Sequence, residues 1–397
     1  RRPKPEYWDM KKAYSPIRVL TDSLAPSKTL TINVENRYTY NNLGEVKIAY
    51  RYGSEHGTAH VDAAPGTRAS FNISIARPDD ANSLYLAFTD PRGFTVDEYL
   101  IPVGAQEQQK IAEPAELKTT LKKTSDAFVI KGKQFVYTVS RTTGQITAKD
   151  AAGNEVLTGG PTLMVLPLVG GGCYPNHNAN TPLFNDCCKN WTATSVTAEK
   201  TGKNITVHVS GKYDEMEGGY DIVFNTNGEA VVDYLFRALT DVNPRQWGMV
   251  FDAPKTMNTT FWNRKGQWSV YPDDHISRPV GKAQLFYSDA DMKASPRVQP
   301  TWSWSHDANR LGSGDFRSTR RNIFFAGLED ASGNTVTAVS NGSQHWRSWL
   351  EEGKIRFLVA DFATAGDEMF LGGFYGPTRR PIKKDNEIKG HVKLLLK

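Results

Sequence analysis

The sequence predicts an all-β protein, and two observations carry this prediction. Short runs in which apolar and polar side chains alternate recur along the chain, for example at 29–34, 71–75 and 205–209, and this period of two is typical of half-buried strands. Turn sequences such as Thr-Gly, Asn-Gly and Gly-Asn separate the runs. A convincing helical period is not found, because Pro114 interrupts the stretch from 107 to 123 that is rich in Ala, Glu and Lys.

The interrupted stretch divides the 397 residues into two unequal parts. A chain of this length exceeds what one hydrophobic core usually supports, so two domains are expected. We predict an immunoglobulin-like β-sandwich over 1–105, a linker over 106–118 and a much larger β-sandwich over 119–397. No repeat of fixed period is visible in the sequence, which argues against a propeller or a solenoid.

Charge and hydropathy exclude two classes of partner. The formal net charge of +5 is small and its charges are interspersed, whereas nucleic-acid-binding proteins concentrate Lys and Arg on one face. The longest apolar stretch, around 163–169, is broken by Pro167 and ends in glycines, so it is no transmembrane helix. The first residues also lack the pattern that is typical of a signal peptide. We therefore expect neither nucleic acid nor a membrane as a partner.

The sequence predicts no metal and no cofactor. Three cysteines, Cys173, Cys187 and Cys188, lie close together. Adjacent cysteines rarely bond each other, so either Cys173 pairs with one of the other two or all three are thiols, and a zinc site would need a fourth ligand. Asp289 and Asp291 could hold calcium, but two carboxylates two residues apart usually belong to a solvated loop.

The first hundred residues carry a set of motifs in a specific order. Pro5-Glu6 and the run 10–19 (Met-Lys-Lys-Ala-Tyr-Ser-Pro-Ile-Arg-Val) come first, followed by 36–43 (Asn-Arg-Tyr-Thr-Tyr-Asn-Asn-Leu), Pro65-Gly66 and 90–98. The first two resemble the segment of family 2 glycoside hydrolases, the β-galactosidase-like enzymes, where the chain leaves the catalytic barrel, and the later motifs are similar to hairpins of the domain that follows it. In that family the segment leads into an immunoglobulin-like domain.

The larger part resembles the C-terminal β-super-sandwich of the same family, which shares its fold with galactose mutarotase. The hairpin 131–146, the Pro-x-x-Asn-Asp element at 182–186 and the stretch 261–273 carry this resemblance. Tyr271 matches the family's Gly-x-x-Glu-x-Tyr-x-Asp stretch, whereas its acidic position is taken by Ser269. The fold expected for the whole chain is therefore an immunoglobulin-like β-sandwich followed by a large β-super-sandwich.

The resemblance implies a role without catalysis for this chain. A family 2 enzyme is a retaining β-glycosidase, whose two glutamates face the sugar about 5 Å apart. Those glutamates belong to the barrel, which would precede Arg1, so we assign no catalytic residue here. The expected function is that of the C-terminal part of a β-glycosidase, which braces its own N-terminal barrel and contacts sugar.

Aromatic and titratable side chains cluster in the second half of the chain. Seven of the nine tryptophans fall between 247 and 349, and flat aromatic rings match the apolar faces of pyranose rings. The segment 301–307 alternates aromatic residues with Ser, His and Asp, and 271–275 is the densest cluster of titratable groups. The alternative is that the tryptophans fill the interior of the large sandwich or a domain interface. The candidate substrate-binding residues are Trp268, Tyr271, Asp273, His275, Trp302, Trp304 and His306.

Two further functions fit the same residues. The density of tryptophans also suits a freestanding carbohydrate-binding module. An aldose epimerase or a polysaccharide lyase on the super-sandwich fold would need a His acid and a carboxylate base, for which His275 or His306 with Asp273 or Glu368 are the candidates. For each of these functions the expected partner is an oligo- or polysaccharide, and for the β-glycosidase it is a galactoside-like one. We expect the protein in the bacterial periplasm or outside the cell, where a disulfide at Cys173 is permitted.

Overall fold

A computed structural model of the chain confirms the all-β prediction. The structure describes residues 5–104, 118–133, 135–167, 187–242, 244–266, 270–271, 275, 277–285, 319–363 and 380–397. These residues form 24 β-strands, one α-helix and one short 3-10 helix. Among them, no helix has the length and apolar content that crossing a membrane requires.

The chain divides into two compact units. Unit 1 comprises residues 1–110 and 266–279, and unit 2 comprises residues 111–265 and 280–397. The segment 266–279, which lies within the predicted larger domain, therefore belongs to the smaller unit. The predicted linker lies almost wholly in 105–117, outside the described residues, and the domain boundaries stay a prediction.

Unit 1 contains the helix and seven strands. Their bounds are α1 (Pro5–Ala13), β1 (Ile17–Val19), β2 (Thr29–Asn36), a 3-10 helix (Leu43–Glu45), β3 (Lys47–Tyr52), β4 (Glu55–Ala59), β5 (Arg68–Ser74), β6 (Ser83–Thr89) and β7 (Thr95–Pro102). The strands form a three-stranded sheet, β1-β2-β5, and a four-stranded sheet, β4-β3-β6-β7. All pairs in these sheets are antiparallel.

The core of unit 1 follows from alternation within its strands. Leu30, Ile32 and Val34 of β2 are at most 1% exposed, and their neighbours in sequence point outward. Leu86 and Phe88 of β6 belong to the same buried cluster. Because side chains two apart share a face of a strand, this pattern turns one face of each sheet into the interior. Each such side chain contributes about 1.5–3 kcal/mol through burial.

Asn36, the first residue of the motif at 36–43, holds the loop after β2 through its side-chain amide. Its side chain is fully buried, and its Nδ2 donates hydrogen bonds to the carbonyl oxygens of Asn41 (2.9 Å) and Ala63 (2.8 Å). Its Oδ1 accepts a bond from the backbone N–H of Tyr38 (2.9 Å). A buried amide with its donors and acceptor paired fixes the loop that follows β2.

Unit 2 contains the other seventeen strands. Their bounds are β8 (Thr120–Lys123), β9 (Ala127–Lys131), β10 (Phe135–Ser140), β11 (Ile146–Asp150), β12 (Glu155–Leu157), β13 (Gly159–Pro167), β14 (Thr192–Thr201), β15 (Asn204–Lys212), β16 (Met216–Phe224), β17 (Glu229–Ala238), β18 (Pro244–Pro254), β19 (Thr259–Arg264), β20 (Val280–Gln284), β21 (Arg320–Glu329), β22 (Thr335–Glu351), β23 (Lys354–Ala363) and β24 (Glu387–Leu396). β8 begins two residues after the predicted linker, within the predicted larger sandwich.

Two sheets make up unit 2. The smaller has five strands in the order β12-β11-β10-β9-β8. The larger has twelve, and nine of them follow the order β13-β18-β23-β22-β24-β17-β16-β15-β14, while β21 joins β22 to β19 and β20. One core connects the sheets, since Tyr137 of β10 packs on Phe224 of β16 with ring centroids 4.8 Å apart.

The tryptophans described in unit 2 mostly fill its interior. Trp262, Trp346 and Trp349 are at most 2% exposed, and Trp346 stacks on Phe357 with centroids 4.9 Å apart. For these three the interpretation as core packing is therefore confirmed. A stacked pair of this kind contributes about 0.5–1.5 kcal/mol beyond the area that it buries.

Candidate functional site

Most of the candidate residues from the sequence lie outside the described residues. This holds for Trp268, Asp273, Trp302, Trp304 and His306. It holds as well for the Pro-x-x-Asn-Asp element at 182–186 and for Cys173, Asp289, Asp291 and Glu368. Cys187 and Cys188 are described, with Sγ atoms 3.9 Å apart and no disulfide between them.

Tyr271 and His275 are described, and both belong to unit 1. The Tyr271 hydroxyl donates to Asp9 Oδ1 (2.9 Å), and its ring stacks on His275 with centroids 4.6 Å apart. His275 is 0% exposed, and its Nδ1 accepts a bond from the backbone N–H of Ser277 (3.0 Å). A fully buried imidazole has no face from which to exchange a proton with a sugar, so His275 does not fit the acid of an epimerase.

A cleft of about 850 Å³ opens on the large sheet of unit 2. Residues of five strands line it, namely β15, β16, β17, β23 and β24. We call it the sheet cleft. Its polar lining side chains include Asp221, Asp233, Asp361, Lys389 and His391. None of these five residues was among the candidates that the sequence indicated.

Strand register brings four polar residues into one row beside the cleft. His208 pairs with Asp221 between β15 and β16, Asp221 with Asp233 between β16 and β17, and Asp233 with His391 between β17 and β24. Residues directly opposite each other in a sheet project from the same face. We call these four residues the His–Asp row. Their side chains are 43% to 58% exposed, so the row is open to solvent.

Each histidine of the row binds the carboxylate beside it. His208 Nδ1 lies 2.8 Å from Asp221 Oδ1, and His391 Nδ1 lies 2.6 Å from Asp233 Oδ1. The hydrogen bond to Asp221 raises the pKa of His208, and Glu199, 3.7 Å from its Nε2, adds to this effect. Both carboxylates are thereby oriented along the row, because one oxygen of each is held by an imidazole.

A third carboxylate, that of Asp361, also lines the cleft. Asp361 of β23 accepts a bond from the Tyr234 hydroxyl on Oδ2 and one from Gln344 Nε2 (2.9 Å) on Oδ1. Gln344 Nε2 also donates to the carbonyl oxygen of His391 (2.6 Å), which ties β22 to β24. Burial raises the pKa of Asp361 and also that of Tyr234, because each would be ionised away from water.

Two glycines allow the backbones to approach at this place. A Cβ at Gly390 would come within 2.1 Å of Asp361 Oδ2, and a Cβ at Gly219 within 2.0 Å of the Val209 carbonyl oxygen. Neither position accepts a side chain without movement of its neighbours. Gly390 therefore leaves the room that Asp361 needs to reach Tyr234.

The geometry of the sheet cleft suits a neutral ligand that is rich in hydroxyl groups. Carboxylates accept hydrogen bonds and ammonium or imidazole groups donate them, and hydroxyls can serve both. Leu235, which is 47% exposed, adds an apolar patch to the lining. In the described part of the chain, no group of three or more His, Cys, Asp or Glu side chains is placed to hold a metal ion.

Sequence reasoning missed the His–Asp row, although a signal was present. His208 and Asp221 stand at outward positions of two alternating strands joined by a short hairpin, and so do Asp221 and Asp233. If the strands of each hairpin are paired with their alternation in register, His208, Asp221 and Asp233 are predicted to lie side by side. His391 could not be placed in this way, because it lies 158 positions along the chain from its partner Asp233.

Comparisons with known proteins give weak structural likenesses only. No family model and no curated protein matches the chain. An α-mannosidase from Enterococcus faecalis is similar with a TM-score of 0.39 and 11% identity, over 100% of this chain and 40% of the mannosidase. This chain thus spans less than half the length of that protein.

Two smaller proteins are similar to part of the chain. A galactose mutarotase related enzyme from Lactobacillus acidophilus gives a TM-score of 0.35 and 13% identity, over 68% of this chain and 97% of that one. A putative aldose 1-epimerase from Escherichia coli gives 0.33 and 8%, over 71% and 99%. All three TM-scores are below 0.5.

Proposed function

We propose that this chain is a non-catalytic, carbohydrate-binding part of a β-galactosidase-like β-glycosidase, and that the sheet cleft holds the sugar. The observation that carries the proposal is the His–Asp row, in which two carboxylates oriented by imidazoles lie beside an open cleft of about 850 Å³. A volume of this size accommodates an oligosaccharide.

The row matches the hydroxyl pattern of a pyranose chain. Asp221 and Asp233 each keep one oxygen that is not held by its histidine, and Lys389 supplies ammonium donors in the same lining. Sugar hydroxyls would donate to the carboxylates and accept from the ammonium group, while an apolar sugar face would contact Leu235. Oligosaccharides of the galactoside type are the ligands that we expect.

The accessory role is supported by the start of unit 1. The motif at 10–19 resembles the exit from a catalytic barrel, and α1 (Pro5–Ala13) leads directly into β1. In the proposal, unit 1 is a spacer and a barrel with the two catalytic glutamates precedes Arg1. Extending the reading frame upstream tests this, because a start codon immediately before Arg1 would overturn it. The proposed location is the periplasm or the exterior of the cell.

Binding is tested by calorimetric titration of the whole chain with galactosides and with plant or host oligosaccharides. Asp233→Ala is expected to weaken binding at least tenfold, since it removes an oriented acceptor and frees His391. Glu329→Ala is the matched control, because it breaks a comparable exposed ion pair, to Lys282, that is not part of the cleft lining. Absence of any saturable binding, or an equal effect of both variants, would count against the sheet cleft as the site.

The non-catalytic part of the proposal has its own test. The chain alone is incubated with a chromogenic β-galactoside, and no release of the chromophore above that of buffer is expected. Hydrolysis that tracks the purified protein through chromatography would overturn the proposal, since it would require a pair of catalytic carboxylates within these 397 residues.

Asp361 favours epimerisation as a second candidate function. Burial raises its pKa, Tyr234 and Gln344 orient it, and His391 shares the cleft lining. For anomerisation a base takes the proton from the anomeric hydroxyl while an acid protonates the ring oxygen, and closure of the opened ring reverses both transfers. NMR exchange spectroscopy on the two anomers of galactose tests this function. Faster interconversion in the presence of the protein, abolished by Asp361→Asn, would support epimerisation, and an unchanged rate would reject it.

A further inference from the structure

The five-stranded sheet of unit 2 has an outward face that the proposed function does not use. Phe128, Ile130 and Tyr137 point from β9 and β10 into the core and are at most 3% exposed. Because side chains alternate along a strand, the residues between them lie on the opposite face. The central residues of this outward face are Lys122, Val129, Lys131, Val136, Thr138 and Lys149. We call it the basic face.

Strand register brings three exposed lysines together on the basic face. Lys131 of β9 pairs with Val136 of β10, and Val136 pairs with Lys149 of β11, so these two lysines lie two strands apart. Since neighbouring strands are about 4.8 Å apart, their Cα atoms are separated by about 10 Å. Lys122 of β8 pairs with Val129, two residues before Lys131, and is therefore a diagonal neighbour of Lys131.

The basic face carries more positive than negative charge. In the described part of the chain, none of its three ammonium groups forms an ion pair. Glu155 of β12 pairs in register with Lys149, and it is the one acidic residue in the rows that contain these lysines. An anion that lies across the face is attracted by several ammonium groups at once, and these attractions add.

The surface between the lysines suits a sugar chain. Val129 and Val136 are partly exposed, and their methyl groups can contact the apolar C–H face of a pyranose ring. Thr138, the cross-strand partner of Val129, has a hydroxyl group that can donate to a sugar hydroxyl and accept from one. The basic face thus combines cationic, apolar and hydroxyl groups on one exposed surface.

We propose that the basic face binds an anionic polysaccharide, a chain of sugar rings that carry carboxylate groups. Lys131 and Lys149 bind carboxylates of separate rings as the chain crosses β9 to β11, and Lys122 binds a further one. An ammonium group on a flexible stem is a point charge without a fixed direction, so it can follow the carboxylates of a repeating chain. This site is independent of the sheet cleft and does not rest on the proposed function.

Two other classes of anionic partner fit the basic face less well. Single-stranded nucleic acid binds by stacking its bases on aromatic side chains, and the six residues of the basic face include none. A membrane surface is bound through large apolar side chains that insert into it. In the described part of the chain, the exposed side chains of this kind belong to unit 1 or to β17 and β20.

The test is calorimetric titration of the whole chain with an oligogalacturonate at low ionic strength. Its methyl ester is the matched control ligand, because it has the same rings without the charged carboxylates. We expect saturable binding of the acid and binding of the ester that is at least tenfold weaker. Raising the ionic strength to about 0.15 M should weaken binding of the acid, since salt screens exposed charges.

Charge variants locate the site. Lys131→Gln and Lys149→Gln together are expected to weaken binding of the acid about tenfold, because each exposed ion pair contributes a factor of about two to five. Glu155→Gln removes a repelling carboxylate and is expected to tighten binding about twofold. Lys47→Gln is the matched control with unchanged binding, because it removes an exposed strand lysine of unit 1.

Several outcomes would overturn the proposal. They are an oligogalacturonate that does not bind saturably, an ester that binds as tightly as the acid, and a Lys47→Gln chain that is weakened as much as the double variant. Tighter binding of a single-stranded oligonucleotide or of phosphatidylserine vesicles through the same lysines would also overturn it. The double lysine variant should bind neutral galactosides as the original chain does, so failure of the basic face is distinguishable from failure of the sheet cleft.

Discussion

Asp221 and Asp233 lie directly opposite each other on β16 and β17, and a histidine binds the outer side of each carboxylate. Two like charges in cross-strand pairs destabilise a sheet. His208, whose pKa is raised by the hydrogen bond to Asp221, offsets the repulsion when it is protonated. The His–Asp row therefore makes the stability of unit 2 depend on pH. In the proposed function, sugar binding depends on pH as well.

Replacing Asp221 by Asn is expected to lower the pKa of His208 towards its ordinary value. The hydrogen bond to Asp221 is the largest cause of the raised pKa, and Asn cannot supply the charge. A histidine whose pKa is raised by folding stabilises the folded state fully below its unfolded value of about 6.5, and this stability is lost as pH rises through the folded pKa. NMR titration of the His208 ring protons measures the shift.

Asp233→Asn is the matched control for this prediction, because its carboxylate is bound to His391 and not to His208. It should leave most of the rise in the His208 pKa in place. If both variants lowered that pKa equally, the row would act as one coupled group, and the assignment of the shift to Asp221 would be wrong.

Tyr234→Phe is expected to lower the free energy of unfolding by about 1–3 kcal/mol, because it leaves a buried carboxylate oxygen of Asp361 unpaired. The same change should raise the pKa of Asp361 further, since the lost hydrogen bond holds it down. Urea denaturation at neutral pH measures the loss of stability. As pH falls towards the point where Asp361 is protonated, the difference between variant and original should shrink.

Tyr85→Phe is the control for that loss. Its hydroxyl also donates to a carboxylate, that of Glu98, but in unit 1 and at a partly exposed position. Water can replace the lost bond there, so a change below about 1 kcal/mol is expected. Equal losses in both variants would mean that burial of Asp361 does not govern the effect.

The strands could be predicted from local alternation in the sequence, whereas the candidate site residues were chosen by composition. Alternation over 29–34 and 205–209 is local, and β2 and β15 lie where it placed them. Tyr271 and His275 were chosen by composition, and the structure puts both in unit 1, where His275 is buried. Composition carries no information about which face of which sheet a residue joins.

The sheet cleft depends on pairings that are distant in sequence. Asp361 meets Tyr234 across 127 residues, and β24 joins β17 although it is the last strand of the chain. No local pattern specifies either neighbour. The role of Gly390 could not be predicted either. In the sequence, a glycine within a strand indicates only a weaker strand, until the side chain that fills its space is known.

Gly390→Ala is expected to destabilise unit 2 by about 1–3 kcal/mol and to weaken sugar binding in the sheet cleft. The added methyl group would meet Asp361 Oδ2 at 2.1 Å and the Tyr234 ring at 2.5 Å, so one of the two must move. Gly44→Ala is the control, since its nearest neighbour is a side-chain oxygen of Asn42 at 3.3 Å. Thermal unfolding compares the two, and equal effects would refute steric crowding at Gly390.

His345 is expected to make the protein less stable in mild acid. Burial and the nearby Arg321 and Arg264 lower its pKa to about 4, and its Nδ1 accepts a bond from the backbone N–H of Asn322 (3.0 Å), which a protonated ring could not do. The unfolded chain therefore binds a proton between pH 6.5 and pH 4 that the folded chain does not. On this account stability is full above pH 6.5 and falls by about 3 kcal/mol towards pH 4.

His345→Gln tests this by removing the titrating ring. Urea denaturation between pH 4 and pH 7 should show a shallower pH dependence for the variant than for the original chain. His208→Gln is the informative comparison, because the pKa of that histidine is raised and its removal should change the pH dependence in the opposite direction. Parallel profiles for the His345 variant and the original chain would mean that His345 is not held neutral by the fold.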